Sequence, residues 1–409
     1  MQQFRASPRG RRGRVKRSTE VQTGIVFLNW RDLTNPEGGG SELYVAAVAA
    51  RLAAAGETVT IFCAAHPGAP RDEIKAGVRY VRRGNHLTVY AWAALLDRLG
   101  SFGPYDLVVE VQNGVPFLAK LWSSRPVVVL VHHVHREQWS VVFGRRIARI
   151  GWWIESRLAP RVNRDCRYVA VSEVTKHELG QLGVAPERVT VVYNGTSAPL
   201  ATTSPRASVP TIAVLGRVVP HKRVELVLDA AVRLRQRIPD LQLEIAGDGY
   251  WLPTVRLRVE QLGLQDVVHL HGRISEQDKA DLLARAWVHA VPSLKEGWGL
   301  AVVEAGSHGT PSVAFAAAGG LAESIVDGST GILVDTVDEL HEALLGLLAD
   351  PERCLELGRA ARSHAAQFSW EATAEAFSQV VHSARTSRTP LVPLSLSSFS
   401  PSHKEFSAW

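Results

Sequence analysis

The sequence predicts an α/β protein of two doubly wound domains in tandem. Three observations carry that expectation: short β-branched runs alternate with longer amphipathic ones, the rhythm breaks near the middle of the chain, and it restarts beyond the break. A chain of 409 residues suffices for two domains with sizeable cores at about 150 residues each. Hydrophobic residues at 46% and charged residues at 21%, with 33 Gly and 21 Pro, exclude collagen-like, coiled-coil and wholly disordered chains.

The elements follow in order. Residues 24–29, 41–55 and 58–62 read as strand, helix and strand. Further strand-sized apolar runs occupy 106–111, 126–131, 168–171 and 189–193, and runs without polar alternation imply a parallel sheet covered on both faces. Periodicity then fails over SAPLATTSPRASVP, so a linker is placed at 199–210, after a first domain over 22–198. In a second domain over 211–366, strands at 211–215, 241–246, 267–271, 288–292, 311–315 and 331–334 alternate with helices such as 224–237 and 276–286. The pattern from 337 to 385 is helical, and the Ser- and Pro-rich stretch 386–409 reads as a disordered tail. Ligands are expected at the carboxyl ends of the strands and in the cleft between the domains.

The net charge of +6 is local. Residues 1–20 carry seven basic side chains (Arg5, Arg9, Arg11, Arg12, Arg14, Lys16, Arg17) against Glu20, so the remainder is net neutral. The segment 1–21 reads as a disordered basic arm, solvated or attracted to anionic lipid headgroups, and no specific nucleic-acid partner is expected. No apolar h-region follows it and no run approaches the roughly 20 residues of a membrane span, so a cytoplasmic protein is expected. Cys63, Cys166 and Cys354 lie far apart without a C-x-x-C, which argues against disulfides and zinc.

Three segments carry chemistry. In Lys295-Glu296-Gly297-Trp298-Gly299-Leu300-Ala301-Val302-Val303-Glu304, two acids stand eight apart around Gly-x-Gly, directly after a strand. The glycines should delay the helix until about Gly299, leaving free N–H groups that suit a phosphate between two carboxylates that suit hydroxyls. A diphosphate flanked by hydroxyls is a nucleotide sugar, although a solvated loop and helix face would hold the same two acids. Gly216-Arg217-Val218-Val219-Pro220-His221-Lys222 ends another strand, and Arg217 with Lys222 could neutralise one anion or simply be solvated. Asn35-Pro36-Glu37-Gly38-Gly39-Gly40-Ser41-Glu42 leads into the first helix, where the glycines allow close backbone approach and Ser41 suits an N-cap. This is not G-x-G-x-x-G, which counts against a dinucleotide-binding dehydrogenase.

Taken together with Val171-Ser172-Glu173, Tyr193-Asn194-Gly195, Gly319 to Glu323 and Asp327 to Gly331, these motifs resemble the retaining glycosyltransferases of GT-B fold in the large glycosyltransferase family four. The resemblance spans about residues 22–383. It implies two Rossmann-like domains with a nucleotide-sugar cleft between them, the second binding the donor and the first the acceptor, with a helix over 367–385 crossing back to the first. Carried over residue by residue, it implies that Arg217 and Lys222 bind the donor diphosphate and Glu304 the ribose. It assigns the transferred sugar to Glu296 with the backbone of Gly297 to Gly299, and brings Gly39 and Gly40 to the phosphates from the opposite wall. Gly216, Gly247, Asp248 and Leu300 would also line the donor site. Trp298 departs from the smaller aromatic usual at its position, which bears on the choice of donor sugar. A histidine at a strand end beside the reacting sugar is matched best by His132 and next by His133; three histidines in four positions also admit a structural or a metal-binding reading.

The resemblance further implies transfer with retained configuration from a UDP-, GDP- or ADP-sugar to a glycan, lipid-linked or polyol acceptor, with no metal or other cofactor required. Rival expectations are a nucleotide-sugar-binding protein without turnover and a nucleotide-sugar epimerase. Over residues 143–164, Arg145, Arg146, Arg149 and Arg157 accompany Ile147, Ile150, Trp152, Trp153 and Ile154 on an expected helix. Such a helix either packs its Trp pair into the core or lies peripherally on an anionic membrane, on the inner face of the cell membrane for a cytoplasmic protein.

Overall fold

The computed structural model describes residues 24–386, so the basic arm and all of the expected tail beyond Thr386 lie outside the described residues. Two sheets organise the chain. The first contains β1 (Gly24–Leu28), β2 (Thr58–Cys63), β3 (Asp72–Lys75), β4 (Val78–Arg82), β5 (Leu107–Gln112), β6 (Val127–Val131), β7 (Arg167–Ala170) and β8 (Val189–Val191). Their spatial order is β3-β4-β2-β1-β5-β6-β7-β8, parallel throughout except for β3 against β4. The second contains β9 (Thr211–Leu215), β10 (Gln242–Ala246), β11 (Val268–Gly272), β12 (Val288–Val291), β13 (Ser312–Phe315) and β14 (Gly331–Val334), in the order β11-β10-β9-β12-β13-β14. Strand order reverses between β1 and β5 and between β9 and β12, and a doubly wound sheet opens its binding crevice at such a reversal.

β1, β5 and β6 are buried along their whole length because both faces are covered, as their apolar runs require. The β3–β4 hairpin escapes that pattern. Its residues DEIK and VRYVR carry charges on an edge, where the unpaired side meets water, and Ala76 and Gly77, both at positive φ, form its two-residue turn.

Ser41 is not the cap of the first helix. The helix spans Gly40–Ala54 with Gly39 at the N-cap, and the Glu42 carboxylate accepts the Gly39 N–H at 2.7 Å. Three helices, Val337–Ala349, Pro351–Ala365 and Trp370–Thr386, fill the expected helical stretch, so Thr386 belongs to a helix and not to the tail. The last of them lies on the first sheet's side. Phe377 stacks on Phe27 at 5.8 Å between ring centres, and Arg385 pairs with Glu57 and Asp106. One core cluster is therefore shared, with Trp298 and Val303 from the second half packed among Tyr44, Val111, Trp370 and Phe377.

The basic, tryptophan-bearing segment is helical over Arg145–Trp153 and continues through a wider turn, Ile154–Leu158. Ala148, Gly151, Glu155 and Ala159 face the body, whereas Trp153 is 56% exposed. The core-packing reading thus fails for Trp153. Among the described residues no helix is long and apolar enough to cross a membrane.

Candidate active site

β12 ends at Val291, and the chain reaches the helix Leu300–Ser307 through the Gly-x-Gly turn. Gly299 caps that helix at φ +89°, a left-handed conformation in which a side chain would be strained and would strike Leu321. Glu296 stands before the helix and Glu304 within it, and each carboxylate is held by a lysine. Glu296 accepts from Lys222 and, at 2.6 Å, from the Ser293 hydroxyl. Burial pushes its pKa up, but the Lys222 charge and these hydrogen bonds outweigh burial and leave the group below the usual carboxylate range. Glu304 accepts from Lys279 at 2.8 Å; here burial prevails over the lysine and the pKa lies above the usual value.

The opposite wall begins at the glycine-rich loop. Glu42 accepts from Arg31 at 3.0 Å as well as from Gly39, and so fixes the loop from within. From the second domain, Arg217 donates to the Glu37 carbonyl at 3.3 Å and Arg273 to the Pro36 carbonyl. A methyl group built on Gly39 would lie 3.3 Å from Arg217, so the loop and the guanidinium are in direct contact across the cleft. Gly40 faces Leu300. Behind Arg217, Gly247 donates to the Gly272 carbonyl and the Asp248 carbonyl accepts from Val218, which packs the loop after β10 against Gly216.

Further contacts close the domains. A Cβ on Gly297 would sit 2.1 Å from the His132 carbonyl, so only glycine permits this approach. Glu323 reaches across to accept the N–H groups of Glu173 and Val174, at 2.9 and 2.7 Å, at the start of the helix Glu173–Gln181. Lys295 pairs with Glu178. Trp298 is 2% exposed and its ring packs on Tyr193 and Phe368, with centres 4.5 and 5.0 Å apart, so the indole serves the domain contact.

His132 ends β6 beneath this contact. It is buried, lies edge-on to Tyr44 at 5.3 Å, and its pKa is pushed down to about 4 by burial, so the imidazole is neutral. Its Nε2 has no partner. His133 donates through Nε2 to Gln138 at 2.9 Å, and His135 through Nδ1 to Glu155 at the same distance. Among the described residues no three His, Cys, Asp or Glu are grouped as a metal would need, which leaves the metal-binding reading without support. The amide of Asn29 past β1 and the Asn113 Nδ2 past β5 are likewise buried and unpartnered. Register places Gln112 opposite Val131, hence Asn113 beside His132, and strict alternation puts Asn29, Asn113 and His132 on one face of the sheet.

The structure thus gathers Arg217, Lys222, Glu296, Glu304, the glycine loop and His132 about one cleft. Sequence reasoning missed Lys279, Ser293, Glu42, Arg273, Asn29 and Asn113. Lys279 lies 25 residues from Glu304 and Asn29 stands 84 before Asn113, and neither pairing leaves a local pattern.

Two facing α/β domains, with paired lysine–glutamate contacts on one wall and a glycine loop on the other, frame a ligand cleft at the switch points of their sheets. The model of the glycosyl transferases group 1 matches residues 203–364 and that of Glycosyltransferase Family 4 residues 38–198. D-inositol 3-phosphate glycosyltransferase of Thermobispora bispora is 32% identical over 393 residues, covering 84% of this chain and 90% of that protein. The structure of sucrose-phosphate synthase from Thermosynechococcus elongatus superposes with a TM-score of 0.76 at 22% identity, over 88% of this chain and 98% of that one. Anabaena HepE in complex with UDP and glucose gives 0.70 at 20% identity, over 88% and 100%. The chain belongs to glycosyltransferase family 4, with the GT-B fold.

Proposed function

We propose that this chain is a cytoplasmic retaining hexosyltransferase that moves a sugar from a nucleoside diphosphate to a hydroxyl of a glycan, lipid-linked sugar or polyol. The observation that carries the reading is the state of the two glutamates: both are enclosed at one helix start, and each is matched by a lysine that an incoming donor can share. In this reading residues 22–198 hold the acceptor, 199–210 link, 211–366 hold the donor, and 367–385 tie the two together. Glu304 receives the ribose hydroxyls as Lys279 gives way. Lys222 exchanges part of its contact with Glu296 for the diphosphate, which frees Glu296 to accept sugar hydroxyls, and Arg217 completes the anion site beside Gly39 and Gly40. The N–H groups after Gly297 lie at a helix start that favours negative charge.

The bond from the anomeric carbon to the diphosphate oxygen breaks as the bond to the acceptor oxygen forms on the same face. The acceptor proton passes to the departing diphosphate oxygen. No protein nucleophile is needed; positioning and charge stabilisation supply the rate. His132, a neutral imidazole with Nε2 unpartnered, stands where it accepts or donates one hydrogen bond to the reacting sugar, and His133 is held beside it by Gln138. No metal is required by this scheme.

Saturation-transfer NMR with UDP-, GDP- and ADP-sugars tests it. One donor class is expected to bind, and Glu304→Ala to weaken it about tenfold or more, as for one hydrogen-bonded charged group. A folded protein that binds none of them overturns the reading. Consumption of donor only with acceptor present separates transfer from epimerisation, which proceeds without acceptor, and from binding alone, which consumes nothing.

A further inference from the structure

The surface of the first domain carries an anomaly outside the cleft. At the end of the helix Arg136–Val142 and along Arg145–Trp153, Phe143, Ile147, Ile150 and Trp153 are exposed by 45, 58, 61 and 56%. Ile147, Ile150 and Trp153 recur at helical spacing on the side of Arg145–Trp153 away from Ala148 and Gly151, and Phe143 is exposed in the extended link just before that helix. Arg146, Arg149 and Arg157 are exposed around them. The helix's own acid, Glu155, is turned inward, where it accepts from His135 and Trp139. Arginines interleaved with large apolar side chains, with Glu137 on the preceding helix as the one exposed acid over residues 136–158, match a surface that is anionic outside and apolar a few ångströms deeper.

We propose that this face docks on an anionic lipid bilayer, Phe143, Ile147, Ile150 and Trp153 entering the headgroup boundary and the arginines meeting lipid phosphates. The helix is not a free appendage. The three bonds to Glu155, from the His135 N–H and ring and from the Trp139 indole, lock it to the segment that carries His132. Docking therefore sets the mouth of the first domain's side of the cleft at the lipid surface, within reach of an acceptor anchored there. That consequence rests on the transferase reading; the docking does not.

Flotation of the full chain with phosphatidylcholine vesicles, with and without phosphatidylglycerol, tests the proposal. The chain is expected to float with the anionic vesicles and to stay behind with the neutral ones. Two surface variants, Ile150→Ser/Trp153→Ser and Arg146→Gln/Arg149→Gln, are each expected to reduce bound protein about tenfold or more, since each removes two of the contacts made with the lipid. Both should keep the wild-type melting temperature. Equal flotation of wild type and variants assigns lipid binding to residues 1–20 and overturns the proposal, as does absence of flotation from both vesicle types. A dimer in light scattering that the Ile150→Ser/Trp153→Ser variant abolishes, without flotation, shows that a second copy covers the face and also overturns it.

Discussion

The two walls of the cleft are built from opposite chemistry. On the second domain's side, Glu296, Glu304, Lys222 and Lys279 form two ion pairs; on the first domain's side, Asn29, Asn113 and His132 present neutral polar atoms without partners. The paired wall suits a ligand that carries charge, because a diphosphate or ribose exchanges one partner for another and no charge is stranded. The unpaired wall suits a ligand that carries hydroxyls, since a buried amide without a partner costs about 1–3 kcal/mol until something bonds it. Removing a residue from the paired wall should therefore damage function and leave a lone charge, whereas removing one from the unpaired wall should damage function and relieve the fold.

The largest expected effect lies on the paired wall. Lys222→Ala removes a diphosphate contact and at once leaves Glu296 with the Ser293 hydroxyl alone. Turnover should fall about 10²-fold or more, on the scale of one lost charge-stabilising donor. Near-normal turnover in a folded variant would break the comparison, because it would leave the Lys222–Glu296 pair as a structural contact only.

Acid should act next, through the neutral histidines. Burial holds His132 at about 4 against an ordinary 6.5, and His221 and His289 likewise at about 4. A depressed imidazole takes up its proton when the chain unfolds, so the stability it lends is complete above about 6.5, is lost as the pH falls, and stops falling near 4. His132→Gln should remove about 2 kcal/mol of the stability lost between pH 7 and pH 5, from 1.36 kcal/mol per pKa unit over the titrating range. Melting temperatures at those two pH values check it. Identical acid sensitivity in wild type and variant would place His132 in water.

What could be read from the sequence follows from how each element announces itself. β1, β5 and β6 show as apolar runs because both their faces are buried, and the E-x7-E and glycine-loop segments show because their spacing is local. β3 is a charged edge strand and β4 beside it is a short run with two arginines, and neither stands out from a polar loop until the pairing is seen. Ser41 has the right chemistry for a cap, but Glu42 already satisfies the Gly39 N–H, so the helix starts two residues earlier than Ser41 would place it. Trp298 sits amid glycine-flanked residues in the sequence yet packs on Tyr193 and Phe368, which lie far from it along the chain, so no local pattern shows the contact. Lys279 meets Glu304, and Asn113 comes beside His132, only through the winding of the sheets.

The smallest predicted energy separates the walls most sharply. Asn29 is wholly buried with both amide atoms unpartnered, so Asn29→Leu fills the same volume and removes an unmet polar group. The folded chain should gain about 1 kcal/mol, seen as a rise of a few degrees in melting temperature. In the reading that sets this wall against the acceptor, the acceptor KM should rise while the donor affinity stays at its wild-type value. A structural asparagine would give the reverse, a lower melting temperature with both substrates bound as before. A variant that gains stability and loses acceptor, set beside a Lys222→Ala that keeps its fold and loses turnover, separates a wall left unsatisfied for an acceptor from a wall already paired for a donor.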